Sequence, residues 1–266
     1  MAILKEGIDF TGSIGNMTAY KMKGSDKIIL RKKGGASKEK IHNHPRFELT
    51  RLNMSEFGGC AKAVKSIRKT LWYVKSLADH NFTPSLTELC LYIQKQDTQS
   101  KRGKRNVYVS RHRPLLEGFR LNEQTKFGDV VAGTLACTID REKASATIQL
   151  PALLPGLNLQ LPWKQPLFRF IFTLCVAEDA IFDARPGWEN YPEPEQPAIA
   201  HLYTDWHMKE EPFDARKLAL ELNLPTPLED RHTLIVAAGI EMGLPVSHNF
   251  VKTVKYAGCA EILAAG

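Results

Sequence analysis

Beyond residue 105 the apolar residues stop recurring at helical spacing and fall into short runs separated by Pro, Gly, Asn and Asp. These runs cover 106–110, 130–139, 144–150, 167–177, 198–208, 218–224, 233–242 and 250–264. Strand-length runs with no helical period between them predict an antiparallel β-sandwich or barrel over residues 106–266. Leu218, Leu220, Leu222 and Leu224 alternate with Ala219, Glu221 and Asn223, as a half-buried strand requires. Residues 168–176 are apolar on nearly both faces, which predicts a central strand. The tracts 151–166 and 185–197 are too rich in proline for ladder interiors and read as long surface loops.

Upstream the period is different. Phe57, Cys60, Val64, Ile67, Leu71, Val74 and Ala78 recur at intervals of three and four, one stripe of a helix, with Lys62, Lys65, Arg68, Lys69 and Lys75 on the other faces. Gly58 and Gly59 interrupt it and allow a kink or a close approach. A second helix follows, opening at Thr83-Pro84 or with a capping box of Ser85 and Glu88, and running to about Gln96 with Leu86, Leu89, Cys90 and Ile93 on its apolar face. Residues 37–96 are thus expected to form a helical hairpin. The polar, basic stretch 97–105 reads as an exposed boundary loop. The fold class is α+β, mainly β.

Residues 1–36 read as an extended arm. Two strand-like runs, 18–23 and 27–31, flank Gly24-Ser25-Asp26, which has turn chemistry, so a β-hairpin is expected. Gly12, Gly15, Gly34 and Gly35 bracket it as flexible joints. A hairpin alone is marginal in water and must pair with another edge.

Charge divides along the chain. Residues 1–113 hold 23 Lys and Arg against 9 Asp and Glu, a balance of +14, whereas 114–266 hold 13 against 20, a balance of −7. Such a division suits nucleic-acid binding, or head-to-tail association of a basic end with an acidic body. Five cysteines at wide spacings, with no CxxC pair and no secretory signal in the opening residues, argue against a disulfide framework and for a reducing, cytoplasmic setting, or an assembly built from one. No run reaches the roughly 20 apolar residues of a spanning helix, so no membrane partner is expected.

The segment Gly12-Ser-Ile-Gly-Asn-Met-Thr-Ala-Tyr-Lys21, with Arg31-Lys-Lys-Gly-Gly35, Ser37-Lys-Glu-Lys-Ile41, Pro45-Arg-Phe47 and Arg51-Leu-Asn-Met-Ser-Glu-Phe-Gly58, resembles the opening of a family of uncharacterised bacterial proteins without an established activity. The run Val254-Lys-Tyr-Ala-Gly258 adds a weaker likeness near the end. The resemblance implies that the N-terminal arm matters, and it implies no catalytic residues.

Constellations that could carry chemistry are few. His42 and His44 are two residues apart but lie in a lysine-rich loop with no third ligand nearby. His201, Tyr203, Asp205 and His207 would share one face of a strand and could hold zinc or iron, although any strand with one wet face has this pattern. There is no Gly-x-Ser-x-Gly elbow and no phosphate-cradling glycine loop. No catalytic, cofactor or metal residue is assigned. The favoured expectation is a structural protein that assembles with copies of itself into an oligomer or filament, through arm residues Thr18, Tyr20, Met22, Ile28 and Leu30. The alternative is nonspecific nucleic-acid binding by Arg31, Lys32, Lys33, Lys101, Arg102, Lys104 and Arg105, clusters with few aromatic neighbours. A metal-dependent enzyme ranks third.

Overall fold

The structure, a computed structural model, describes residues 2–3, 10–21, 27–133, 135–184, 191, 195 and 198–266. The chain divides into two compact units, Met1–Arg51 and Leu52–Gly266. The first contains β1 (Ala2–Ile3), β2 (Gly12–Ile14), β3 (Met17–Lys21), β4 (Ile28–Lys32) and the short helix α1 (Lys38–Asn43). Its strands form one antiparallel sheet in the order β1-β4-β3-β2. The expected hairpin is therefore β3 and β4, flanked on both sides by strands of its own unit; its turn at Gly24-Ser25-Asp26 lies outside the described residues.

Helix α2 (Glu48–Thr70) carries the division between the units. Of its expected stripe Cys60, Val64 and Ile67 are buried on the helix, which stops at Thr70; Leu71 and Val74 are buried too, but in the turn beyond it. Phe57 is an exception, being 56% exposed. At 100° per residue it stands about 60° round from Cys60, on the flank shared with Ala61, Lys65 and Arg68 rather than at the stripe's centre. Gly59 serves the close approach and not a break: a Cβ there would lie 2.6 Å from the ring of Tyr191, which is buried.

Helix α3 (Thr83–Lys95) follows, and its start is held by Asn81, whose Oδ1 accepts from the Thr83 amide, instead of by a Ser85 capping box. Gln94 Nε2 donates to Glu56 O, Cys60 Sγ lies 3.3 Å from Gln94 Oε1 and Arg68 donates to Thr83 Oγ1. These contacts run in opposite order along α2 and α3, so the two helices are antiparallel. They belong to the same unit as the sandwich.

After the single turn α4 (Phe127–Val130) come β5 (Ala136–Asp140), β6 (Ser145–Leu150), β7 (Leu167–Glu178), β8 (Ile199–Tyr203), β9 (His207–Met208), β10 (Arg216–Glu221), β11 (His232–Ser247) and β12 (Phe250–Ala265). They make a sheet ordered β10-β6-β5 and another ordered β12-β11-β7-β8, with β9 also on β7. All their pairings are antiparallel. Residues 106–110 are not a strand; only an isolated bridge joins Val107 to Ala180.

The alternation along β7 explains why it is apolar on both faces. Phe168, Phe170, Phe172 and Leu174, with Met242, Ile240, Ala238 and Val236 beside them on β11, face the core shared with β6 and β10. Ile171, Ala177, Ile235 and Ala237 face the helices with Ile67, Leu71 and Leu86. The sandwich thus gains a helical third layer, which is what buries the other face of the sheet. The proline-rich tract 151–166 is not wholly a surface loop: Leu153, Leu159 and Leu161 are buried, held by bridges to Phe213 and Val131.

β11 and β12 are longer than expected, 16 residues each, and their pairing shifts from Glu241↔Gly258 to Gly243↔Thr253. This wide bulge places Tyr256 at φ 63, exposed, in the left-handed region that aromatic residues rarely occupy. Among the described residues no helix is long and apolar enough to cross a membrane.

Candidate functional sites

In the N-terminal unit, β2 and β3 are joined by Gly15-Asn16, and Gly15 has φ +56. A positive φ at the first central residue is the geometry of a type II′ hairpin turn, so this glycine sets a turn instead of a flexible joint. The pairing of Tyr20 with Ile29 puts Thr18, Tyr20, Ile29 and Arg31 on one face, and Ala19, Lys21, Ile28 and Leu30 on the other. The expected assembly residues therefore do not share a surface: Thr18 and Tyr20 oppose Ile28 and Leu30, and Met22 lies outside the described residues. Arg31 and Lys32 point to opposite faces, and the Arg31 guanidinium lies 5.4 Å from the centre of the Tyr20 ring. What the unit does present is an edge. Among the described residues β2 ends the sheet, with Ile14 61% exposed and Met17 exposed beside it.

The basic loop is organised from within. Asp97 accepts from the amides of Gln99, Ser100 and Asn106 and from the Asn106 side chain. Burial disfavours its charge, but the bonds from Asn106, Ser100 and Gln99 outweigh burial and hold its pKa below the ordinary carboxylate value. A depressed folded-state pKa stabilises the chain well above pH ~4, and that contribution fades as pH falls through the folded value. Asp97→Asn should therefore cost about 1–3 kcal/mol at pH 7, with the difference from wild type shrinking toward pH 3, measured by urea unfolding across that range. A difference independent of pH would show that the carboxylate charge is not what holds the loop.

The same loop is fastened to α2. Gly103 N donates to Glu56 Oε1, Ser55 Oγ to Gly103 O, and Arg102 to Asn53 Oδ1. Arg105 is half-buried beside Glu56, 3.6 Å away, while Lys101, Arg102 and Lys104 are exposed. Only part of the predicted cluster is thus open to a polyanion.

A second basic surface joins cations to aromatic rings. Phe57, Ala61, Val64, Lys65, Arg68 and Lys69 of α2, Trp72 and Lys75 of the following turn, and Thr83 and Thr87 of α3 line a groove of about 480 Å³. Trp72 is 59% exposed on a turn fixed by the bonds of the Val74 and Lys75 amides to Leu71 O. The Lys75 ammonium lies 3.2 Å from the centre of its ring. The Arg68 guanidinium lies 5.3 Å from the Phe82 ring, and Lys69 donates to Glu195 O. The groove's aromatic and basic residues all come from α2 and the turn after it, at helical spacing, on the flank beside the buried stripe; α3 adds only Thr83 and Thr87 as the opposite wall.

The chain matches no protein-family model, no curated protein and no solved structure. Its function is therefore read from its own residues.

The histidine constellations do not converge. The partner sum along β7 shifts by one residue between Ile171↔Tyr203 and Phe168↔His207. A one-residue bulge reverses the side on which later residues point. His201 and Tyr203 accordingly lie on the helix-side face, where His201 stacks on Tyr73 with ring centres 3.8 Å apart. His207 points to the opposite face, against Phe168 and Phe213, and its Nε2 donates to Pro212 O. The bulge is set by Thr204, whose amide donates to Phe170 O and whose hydroxyl accepts from Phe170 N. It also brings Tyr203 and Trp206 to 4.2 and 4.5 Å from the Arg169 guanidinium, which pairs with Glu241. His44 is a cap: its Nδ1 accepts from the Arg46 amide. Among the described residues no group of three or more His, Cys, Asp or Glu is gathered as a metal requires. Burial, with Glu56 adding to it, pushes the Cys60 thiol up to about 12, and burial likewise raises Cys137, Cys175, Cys90 and Cys259. All five are thiols at neutral pH and poor nucleophiles.

Proposed function

We propose that the protein is a structural component that associates with copies of itself through the outer edge of β2. The observation that carries this reading is that edge. The two residues flanking a two-residue turn, here Ile14 and Met17, exchange the inner ladder bonds, so the N–H and C=O of Ser13 between them and Gly12 point outward. Exposed ladder groups beside an exposed Ile14 are a template for another strand. Two copies of the same edge can meet antiparallel about a two-fold axis. Charge supplies less than the sequence suggested. Residues 1–51 hold 11 basic and 5 acidic residues, and 52–266 hold 25 and 24, because the basic helices share a unit with the acidic strands.

Ser13→Pro tests the edge directly, because proline removes the outward donor and leaves the inner ladder of β2 and β3 intact. Light scattering should show wild type in a multimeric state and the variant reduced to monomer, with unchanged circular dichroism. Removing residues 2–35 should have the same effect on size. A monomeric wild type, or a variant with the wild-type size distribution, would sink the reading.

A further inference from the structure

We propose that the groove between α2 and α3 binds single-stranded nucleic acid, with Trp72 and Phe57 as stacking platforms and Arg68 and Lys75 as the charges that meet its phosphates. This goes beyond self-association and rests on different residues. Two large aromatic side chains more than half exposed in one groove are costly to leave in water and mark a binding surface. Here they are interleaved with Arg68 and Lys75, and among the described residues no carboxylate lines the groove. That charge is complementary to a polyanion. Cations alone would suit an acidic peptide equally well, but bases supply flat π faces for the exposed indole and phenyl, and acidic side chains do not. Bases in a duplex have both faces occupied by their neighbours, so stacking selects an unpaired strand.

The geometry is prepared for this. From Phe57 to the end of α2 the groove runs for roughly 20 Å, room for a few nucleotides. Arg68 is held by Thr83 Oγ1, and Thr87 Oγ1 donates to Thr83 O, so the wall on the α3 side is fixed before any ligand arrives. Lys75, close against one face of the indole, is already placed to neutralise a phosphate next to a base stacked on Trp72.

The test is fluorescence anisotropy of a labelled oligothymidylate of about 15 nucleotides, beside a duplex of equal length, over a series of salt concentrations. Wild type should bind the single strand more tightly than the duplex. Trp72→Ala should weaken binding about tenfold or more, whereas Trp72→Phe keeps a stacking face and should retain most of the affinity. Lys75→Gln should lower affinity and reduce the log–log salt slope by about 0.7. Lys101→Gln with Lys104→Gln, on the basic loop, should change neither. Thermal melting of each variant establishes that it is folded. The proposal is overturned if wild type does not bind the single strand, or binds duplex as tightly. It is equally overturned if Trp72→Ala binds like wild type, or if the loop variant and not the groove variants abolishes binding. Because none of these measurements depends on β2, they stand apart from the outcome of Ser13→Pro.

Discussion

Replacing Ile67 with aspartate is expected to cost more than about 4 kcal/mol, a large share of the stability of a domain this size. Ile67 is fully buried at the meeting of α2, α3 and the helix-side face of the central sheet, among Val64, Leu71, Leu86, Cys90, Ile235 and Ile262. A carboxylate there would have no cation to pair with in that cluster, and it would be protonated or would open the layer to water. Two milder variants give the gradient that distinguishes packing from charge. Ile67→Val should cost about 1 kcal/mol and Ile67→Ala about 2–5 kcal/mol, by lost transfer energy and residual cavity. Chemical denaturation should order them as wild type, valine, alanine, aspartate. An aspartate variant that unfolds at the wild-type midpoint would show that α2 does not cover the sheet.

Gly258→Ala is expected to destabilise by about 2–3 kcal/mol, an unusually large effect for one methyl group. Its Cβ would stand 2.4 Å from Ile240 O and 2.8 Å from Leu77 Cδ2. Leu77 can rotate, but the Ile240 carbonyl belongs to the backbone of β11, directly beside the bulge where pairing shifts. Relief would have to come from the sheet itself. Gly58→Ala provides the opposite sign within one experiment: it sits inside α2 with nothing within 4 Å of the added carbon, so it should stabilise by about 0.5–1 kcal/mol. Melting temperatures of the pair should move in opposite directions. Equal shifts would mean that helix propensity and β12 packing have been assigned to the wrong glycines.

What the sequence by itself determined is the side of each element that is apolar. The stripe from Cys60 to Val74, the doubly apolar run of β7 and the alternation around Leu220 and Leu222 were legible because helix and strand repeat at 3.6 and 2 residues wherever they occur. The turn at Gly15-Asn16 is local chemistry too, since a glycine followed by asparagine between strand-forming residues is a hairpin signal and not only a flexible joint. Tertiary structure decided which apolar sides are covered and where registers slip. Phe57 lies within the helical period and still faces the groove, because burial needs an opposing layer and among the described residues its flank of α2 has none there. His201 and His207 keep strand spacing and still point apart, because the pair of bonds between Thr204 and Phe170, 34 positions away in the chain, inserts one residue between them. Leu153 and Leu159 sit in a proline-rich tract and still enter the core through Phe213 and Val131. In each case the deciding partner is distant in sequence, and periodicity reports only what neighbouring residues can do for one another.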